Sequence, residues 1–250
     1  MKRFVMLAFM VAVGSAHADW SYSAPNGPAQ WGNMAGFATC STGADQSPIA
    51  IESGEVAGLR NAFPDNSLAP LMPQWNASPL NLLNNGHTLQ VNYAPGSEIE
   101  FETNAFELKQ FHFHSPSEHL LNERQYPLEA HFVHQTANGG LLVVGVFFKQ
   151  GADHPSLESI WKNAPQAGSS VSLPITVNAA DFLPNNSSYF TYAGSLTTPP
   201  CSEGVRWIVL KEPLEASAAQ LRFLQQHMGF TNNRPAQPLD GRLISIGNEN

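Results

Sequence analysis

The segment Gln110-Phe111-His112-Phe113-His114 alternates polar and aromatic residues with a period of two. Read as a strand, it projects Gln110, His112 and His114 from one face and Phe111 and Phe113 from the other. The alternation recurs in Glu129-Ala130-His131-Phe132-Val133-His134, placing Glu129, His131 and Val133 on a common face. Between the two lie Ser115-Pro116-Ser117-Glu118-His119, Asn122 and Tyr126-Pro127, which supply a bent connection. An antiparallel return through that connection brings His131 beside His112 and His114.

Three converging imidazoles without a fourth protein ligand are the set expected of a catalytic zinc, which keeps one position open; a structural zinc is closed by four ligands, often cysteines. The two cysteines, Cys40 and Cys201, lie far from this stretch. A metal-bound imidazole needs its other nitrogen hydrogen-bonded to fix tautomer and ring orientation, and Gln110 and Glu129 are placed to do this. A single Zn2+ is the expected cofactor, although affinity order alone leaves copper and cobalt open.

The chain opens with Lys2 and Arg3, an apolar run over residues 4–13 and a small-residue end, Ala16-His17-Ala18. This is the layout of a secretory signal, and the run is too short to span a bilayer as a helix. Residues 1–18 are expected to be removed on export to the periplasm or beyond, leaving one domain over residues 19–250. Export favours a Cys40–Cys201 disulfide over two buried thiols. It closes a loop of roughly 160 residues, for which chain entropy gives at most about 5 kcal/mol. The formal charge of −8 becomes more negative once Lys2 and Arg3 are lost. Such a surface disfavours nucleic acid and anionic membranes as partners. No later segment is long and apolar enough to act as an anchor.

Residues 20–31 read as an irregular aromatic flap and residues 59–75 as a proline-bearing loop. Two strands meet at the Asn85-Gly86 turn, from which His87 emerges. Further strands are expected over 98–106, 106–114, 128–134, 140–149, 189–192, 206–210 and 243–246. The near-continuous apolar run of 140–149 fits a strand covered on both faces. Helices are expected over 155–163, opened by Pro155, and over 217–228, with Ser217 and Gln220 as a capping box and Gly229 as the stop. Strands outnumber helices, giving a mainly β domain with peripheral helices.

An ordered set of motifs extends this reading: Gln46-Ser47-Pro48, Asn84-Asn85-Gly86-His87, the histidine strands, Ser117-Glu118-His119, the run from Gly194 to Cys201, Trp207-Ile208-Val209-Leu210-Lys211-Glu212-Pro213, and Asn233-Arg234-Pro235-Ala236-Gln237-Pro238-Leu239. Together these resemble the alpha-class carbonic anhydrases, in particular the exported bacterial type. The resemblance runs from Trp20 to about Ile244. It implies a central twisted, mostly antiparallel sheet and a zinc lyase that reversibly hydrates carbon dioxide to bicarbonate and a proton, by attack of zinc-bound hydroxide.

The resemblance also implies residue roles. His112, His114 and His131 match the zinc ligands, and Gln110, Glu129 and the Asn232 carbonyl match their hydrogen-bond partners. Thr197 and Glu118 match the pair that orients hydroxide: a threonine hydroxyl donating to a carboxylate can only accept from its other neighbour. Val133, Val143, Leu196 and Trp207, with Thr198, match the substrate pocket. His87 matches the proton shuttle, an imidazole able to titrate near neutrality. Tyr22, Asn85, Gln90 and Thr198 match residues that order water along the proton path. Thr88, beside His87, is bulkier than the alanine or serine of some relatives and is expected to restrict the imidazole.

Short connections after His114 and before Gly139 trim the cleft rim relative to vertebrate members. Exported bacterial relatives imply a homodimer. Two rivals are a binding module that has lost its zinc ligands, disfavoured by retention of all three histidines, Glu118 and Thr197, and a zinc hydrolase. No His-Glu-x-x-His helix supports the hydrolase, so weak esterase activity is expected only as a side reaction.

Overall fold

The computed structural model of the chain describes residues 20–56, 68 and 71–247. The expected signal at 1–18 and most of the proline-bearing loop lie outside the described residues. In chain order the strands are β1 (Ala50–Ile51), β2 (Pro73–Gln74), β3 (Ala77–Asn84), β4 (Leu89–Asn92), β5 (Glu98–Phe101), β6 (Asn104–His114), β7 (Leu120–Leu121) and β8 (Arg124–Gln125). They continue with β9 (Leu128–Gln135), β10 (Leu141–Gln150), β11 (Ser170–Asn178), β12 (Tyr189–Ser195), β13 (Glu203–Leu210), β14 (Leu214–Ala216) and β15 (Ser245–Gly247). The helices α1 (Thr39–Thr42), α2 (Pro155–Trp161) and α3 (Ala218–Met228) are short.

One large sheet dominates, ordered β11-β3-β4-β6-β9-β10-β13-β12-β15, with β2, β5 and β14 attached at its sides. Pairing along it is antiparallel except between β10 and β13. β10 is apolar almost throughout because both of its faces are covered. Val144, Val146 and Phe148 enter the larger core, whereas Val143 and Phe147 enter a second core on the opposite face. The aromatic residues of β6 explain its position too: Phe111 and Phe113 are fully buried in the larger core, stabilising the sheet by about 1.5–3 kcal/mol each. That burial fixes the register, because a one-residue slip would put these rings on the opposite face and the histidines in the core.

α3 starts and stops as its sequence predicts. Ser217 and Gln220 form the reciprocal capping box, and Gly229 ends the helix in the left-handed region at φ 80°. α2 begins at Pro155 as expected but ends at Trp161. The 98–114 hairpin turns at Glu102-Thr103, with Glu102 at φ 54°, rather than at Phe106; no glycine marks the turn. β11, which contains Pro174, was not among the expected strands. It survives at the sheet edge, where a register shift between Leu173 and Thr176 accommodates the proline.

The N-terminal flap packs inward through Trp31, which is fully buried and donates from Nε1 to the carbonyls of Ser21 and Asn26. Beside it lies the Cys40–Cys201 disulfide, joining residues 161 apart in sequence. Replacing both cysteines by serine is expected to lower unfolding stability by about 2–5 kcal/mol. Urea denaturation measures this, and an unchanged midpoint would show the bridge to be dispensable.

His134 faces away from the other β9 histidine, into the larger core, with its ring centroid 5.4 Å from that of Trp75. Neither ring nitrogen has a hydrogen bond of good geometry. Burial lowers its pKa to about 4, an effect only partly offset by the backbone of Phe132 and Leu142. The fold therefore favours the neutral ring: this contribution is complete above the ordinary value near 6.5 and is lost as pH falls from there through about 4. The loss is on the order of 3 kcal/mol. Denaturant midpoints at pH 7 and pH 4 should differ less in His134→Phe than in the unaltered protein, and equal differences would contradict the account.

Candidate active site

The antiparallel register of β6 and β9 sets His112 opposite His131 and His114 opposite Glu129. Ring centroids lie 5.0 Å apart for His112 and His114, 5.4 Å for His112 and His131, and 4.5 Å for His114 and His131. One nitrogen from each ring lies within 4.8 Å of the others. The remaining nitrogens are engaged as the sequence predicts. His112 Nδ1 is 2.8 Å from Gln110 Oε1, His114 Nδ1 is 2.7 Å from the Asn232 carbonyl, and His131 Nε2 is 2.9 Å from Glu129 Oε1.

His114 Nε2 is buried without a hydrogen-bond partner. A buried unpaired nitrogen costs free energy unless a ligand satisfies it. Three imidazole donors with their outer nitrogens fixed would suit a tetrahedral divalent cation. Burial and neighbouring imidazoles keep His112 well below its ordinary pKa and His114 at about 3. Both rings are thus neutral, the form that binds a metal. Burial opposes protonation of His131 as well, but Glu129 outweighs it and raises the pKa.

Glu129 organises a second layer. Oε1 also lies 2.8 Å from His119 Nδ1, and Oε2 accepts the backbone N–H groups of Glu118 and His119. Burial pushes this carboxyl up, yet His119 and His131 hold it well below the usual carboxylate range. His119 Nε2 is 2.7 Å from the Tyr192 hydroxyl, which donates to Ser47 Oγ. His119, Glu129 and His131 satisfy a metal-like spacing of their own, but these contacts are hydrogen bonds that orient His131. The role of His119 escaped the sequence reading, although its motif, next to Glu118, was visible.

Glu118 is fully buried, and its Oε1 accepts the Arg234 N–H at 2.8 Å. Oε1 also lies 3.5 Å from His114 Nδ1, and Oε2 lies 3.8 Å from His131 Nδ1. Burial raises its pKa to about 7 against the opposing pull of His131, the Thr197 side chain and the Arg234 N–H. A dication among the imidazoles would lower it further. Thr197 follows β12 in a loop held by the disulfide, by the Cys201 N–H on the Thr198 carbonyl, and by the Leu196 N–H on the Ser202 carbonyl. Arg234, assigned no role from sequence, is buried and donates to Gln46 Oε1 and to the carbonyls of Ser47 and Cys40. It ties the Glu118 support to the disulfide segment.

Register gathers the expected apolar wall. Val143 stands opposite Val133 on β9 and Trp207 on β13, and these three pack with Leu196 in the second core. The Trp207 ring lies 4.8 Å from that of His131. His87 is half-buried and stacked on Trp20, with centroids 3.8 Å apart and planes at 10°. Tyr22 meets it edge-on at 6.4 Å.

Two of the residues expected along the proton path, Asn85 and Gln90, make side-chain hydrogen bonds within the protein. Asn85 Oδ1 accepts the N–H groups of His87 and Thr88, closing the turn, and Gln90 Nε2 donates to Asn92 Oδ1. Thr88 is buried, with its hydroxyl on the Phe113 carbonyl, so its bulk is committed to holding β4 against β6. No described helix is long and apolar enough to cross a membrane.

Comparison with known proteins places the chain in a family. The sequence profile of eukaryotic-type carbonic anhydrases matches residues 26–247. A carbonic anhydrase from Pectobacterium carotovorum is 40% identical over 98% of this chain and 99% of its own. The alpha-carbonic anhydrase of Thermovibrio ammonificans, solved with the inhibitor sulfanilamide, is 43% identical with a TM-score of 0.84, covering 92% of this chain and 99% of that one. The Photobacterium profundum alpha-carbonic anhydrase superposes with a TM-score of 0.81 at 44% identity, over 90% of this chain and 99% of that one. Matched by the family profile over most of its length and by relatives at 40% identity or more, the chain belongs to the eukaryotic-type carbonic anhydrase family.

Proposed function

We propose that the protein hydrates carbon dioxide reversibly at a zinc ion held by His112, His114 and His131. The observation that carries this is the convergence of three imidazoles, each with its outer nitrogen hydrogen-bonded, beside an apolar wall. A zinc ion held by these residues would supply a nucleophile near neutral pH by lowering the pKa of a bound water, behaviour for which carbonic anhydrases are the standard example.

The chain's own groups do the rest. Gln110, Glu129 and the Asn232 carbonyl hold the ligand rings. Glu118, fixed by the Arg234 N–H, accepts a hydrogen bond from the Thr197 hydroxyl, leaving that hydroxyl oxygen to accept from the nucleophile and aim it. Val133, Val143, Leu196 and Trp207, flanked by Thr198, seat an apolar substrate without a charged clamp. His87 accepts the released proton through water and passes it to buffer; Tyr22, Asn85, Gln90 and Thr198 border that path.

Stopped-flow hydration by the zinc-loaded protein tests the reading, and a rate no better than buffer alone would sink it. His87→Ala is expected to lower turnover by about tenfold in weak buffer, with a small imidazole buffer restoring it; no buffer-dependent loss would remove His87 from the mechanism. Slow hydrolysis of an activated ester is proposed as a side activity. The signal-like start and the disulfide support export with loss of residues 1–18, which N-terminal sequencing of the exported protein would check. A homodimer is carried over from exported relatives, and sedimentation at the mass of a single chain would exclude it.

A further inference from the structure

Asn232 contributes more than its carbonyl. Its side chain is 1% exposed and makes three hydrogen bonds of its own. Nδ2 donates to the Phe113 carbonyl at 2.8 Å and to the His87 carbonyl at 3.1 Å, while Oδ1 accepts the Ser115 N–H at 2.8 Å. Phe113 and Ser115 are the neighbours of His114 on either side. The third partner is the backbone of the residue proposed to carry protons. Both amide hydrogens are used, so a single side chain clamps the His87 main chain to the strand that bears two of the metal ligands.

The turn needs such a clamp. Gly86 sits at φ +84°, and a Cβ there would meet nothing within 4 Å, so the tip of the turn itself is unpacked. Asn85 closes the turn on itself through the N–H groups of His87 and Thr88. Thr88 adds one bond to the Phe113 carbonyl, the same acceptor that Asn232 uses. The His87 carbonyl reaches the metal-ligand layer through the Asn232 amide.

We propose that the Asn232 side chain is a positioning residue for proton transfer, fixing the His87 backbone relative to the metal ligands. The inference rests on the reading of His87 as the proton carrier. Transfer through ordered water depends on the distance and orientation of the accepting group, and a misplacement of about 1 Å costs up to ~100-fold in rate.

Two variants separate this role from simple support of the fold. Asn232→Asp keeps the shape and the Ser115 bond but turns both donated bonds into oxygen–oxygen contacts. Asn232→Ala removes all three side-chain bonds. Each retains the main-chain carbonyl that receives His114. The zinc-loaded variants would be compared with the unaltered protein and with His87→Ala for kcat, kcat/KM and zinc content, in weak buffer and with added imidazole. The metal-free proteins would be examined by NMR, where the Trp20 indole should displace the His87 ring protons upfield.

The expected result for Asn232→Asp is a fall in kcat of about tenfold in weak buffer, with kcat/KM falling far less, zinc content retained and imidazole restoring turnover. The upfield displacement of the His87 ring protons should collapse in the same variant. Parallel loss of kcat, kcat/KM and zinc would overturn the inference, showing Asn232 to be a support of the metal site alone. Loss of turnover in His87→Ala without loss in either Asn232 variant would overturn it while leaving the shuttle intact. If His87→Ala costs nothing, the shuttle reading fails and the inference falls with it.

Discussion

His112→Ala is expected to abolish stoichiometric zinc binding and to reduce carbon dioxide hydration to the buffer rate. His112 supplies one of three nitrogens that converge within 4.8 Å, and two remaining imidazoles leave a tetrahedral ion half-coordinated. The magnitude is bounded by a milder change. Gln110→Ala leaves the ligand in place but frees its Nδ1, and loss of such an outer partner typically costs about 10- to 100-fold in metal affinity. His112→Ala should exceed that range. The fold should survive, because half-buried His112 lies outside the aromatic core that β6 builds with Phe111 and Phe113. Metal analysis after dialysis, with circular dichroism on the same samples, measures both. Equal zinc retention by His112→Ala and the unaltered protein would show that the ion sits elsewhere.

Thr197→Ala should lower kcat/KM by about 100-fold, the usual scale for losing one preorganised polar partner of a reacting group, with zinc content unchanged. Glu118→Gln tests the other half of the pair. Its amide oxygen can still accept the Arg234 N–H, but an amide can also donate, so Thr197 is no longer held as an acceptor toward the nucleophile. A loss of similar size is expected, and the double variant should be little worse than either single one because the two act as a unit. Additive losses in the double variant would mean that Glu118 and Thr197 act independently.

The active-site strands were legible because their chemistry and their folding signal coincide. Alternation in β6 places aromatic residues on one face and histidines on the other, and in β9 it sets His131 opposite in direction to Phe132, so the pattern that buries Phe111 and Phe113 also aims His112 and His114. The α3 boundaries were legible for a local reason, a capping box and a left-handed glycine. Motif resemblance added what local pattern cannot reach, such as the Asn232 carbonyl on His114, contributed from far along the chain. The hydrogen bonds of Arg234 and the His119–Tyr192–Ser47 chain were hidden because each depends on side chains brought together only by the completed sheet. β11 was hidden for the opposite reason: its local signal, Pro174, points away from a strand and is tolerated only at an edge.

The most direct test is to titrate the metal-free protein with zinc, following carbon dioxide hydration and zinc-edge X-ray absorption on the same samples. The account predicts activity that rises in proportion to zinc and breaks at a single ion per chain. The absorption should report a first shell of four nitrogen or oxygen neighbours at about 2.0–2.1 Å with the outer-shell scattering of imidazole rings, and no sulfur neighbour. Full zinc occupancy with no hydration, or activity that keeps rising after the trio is filled, would contradict it.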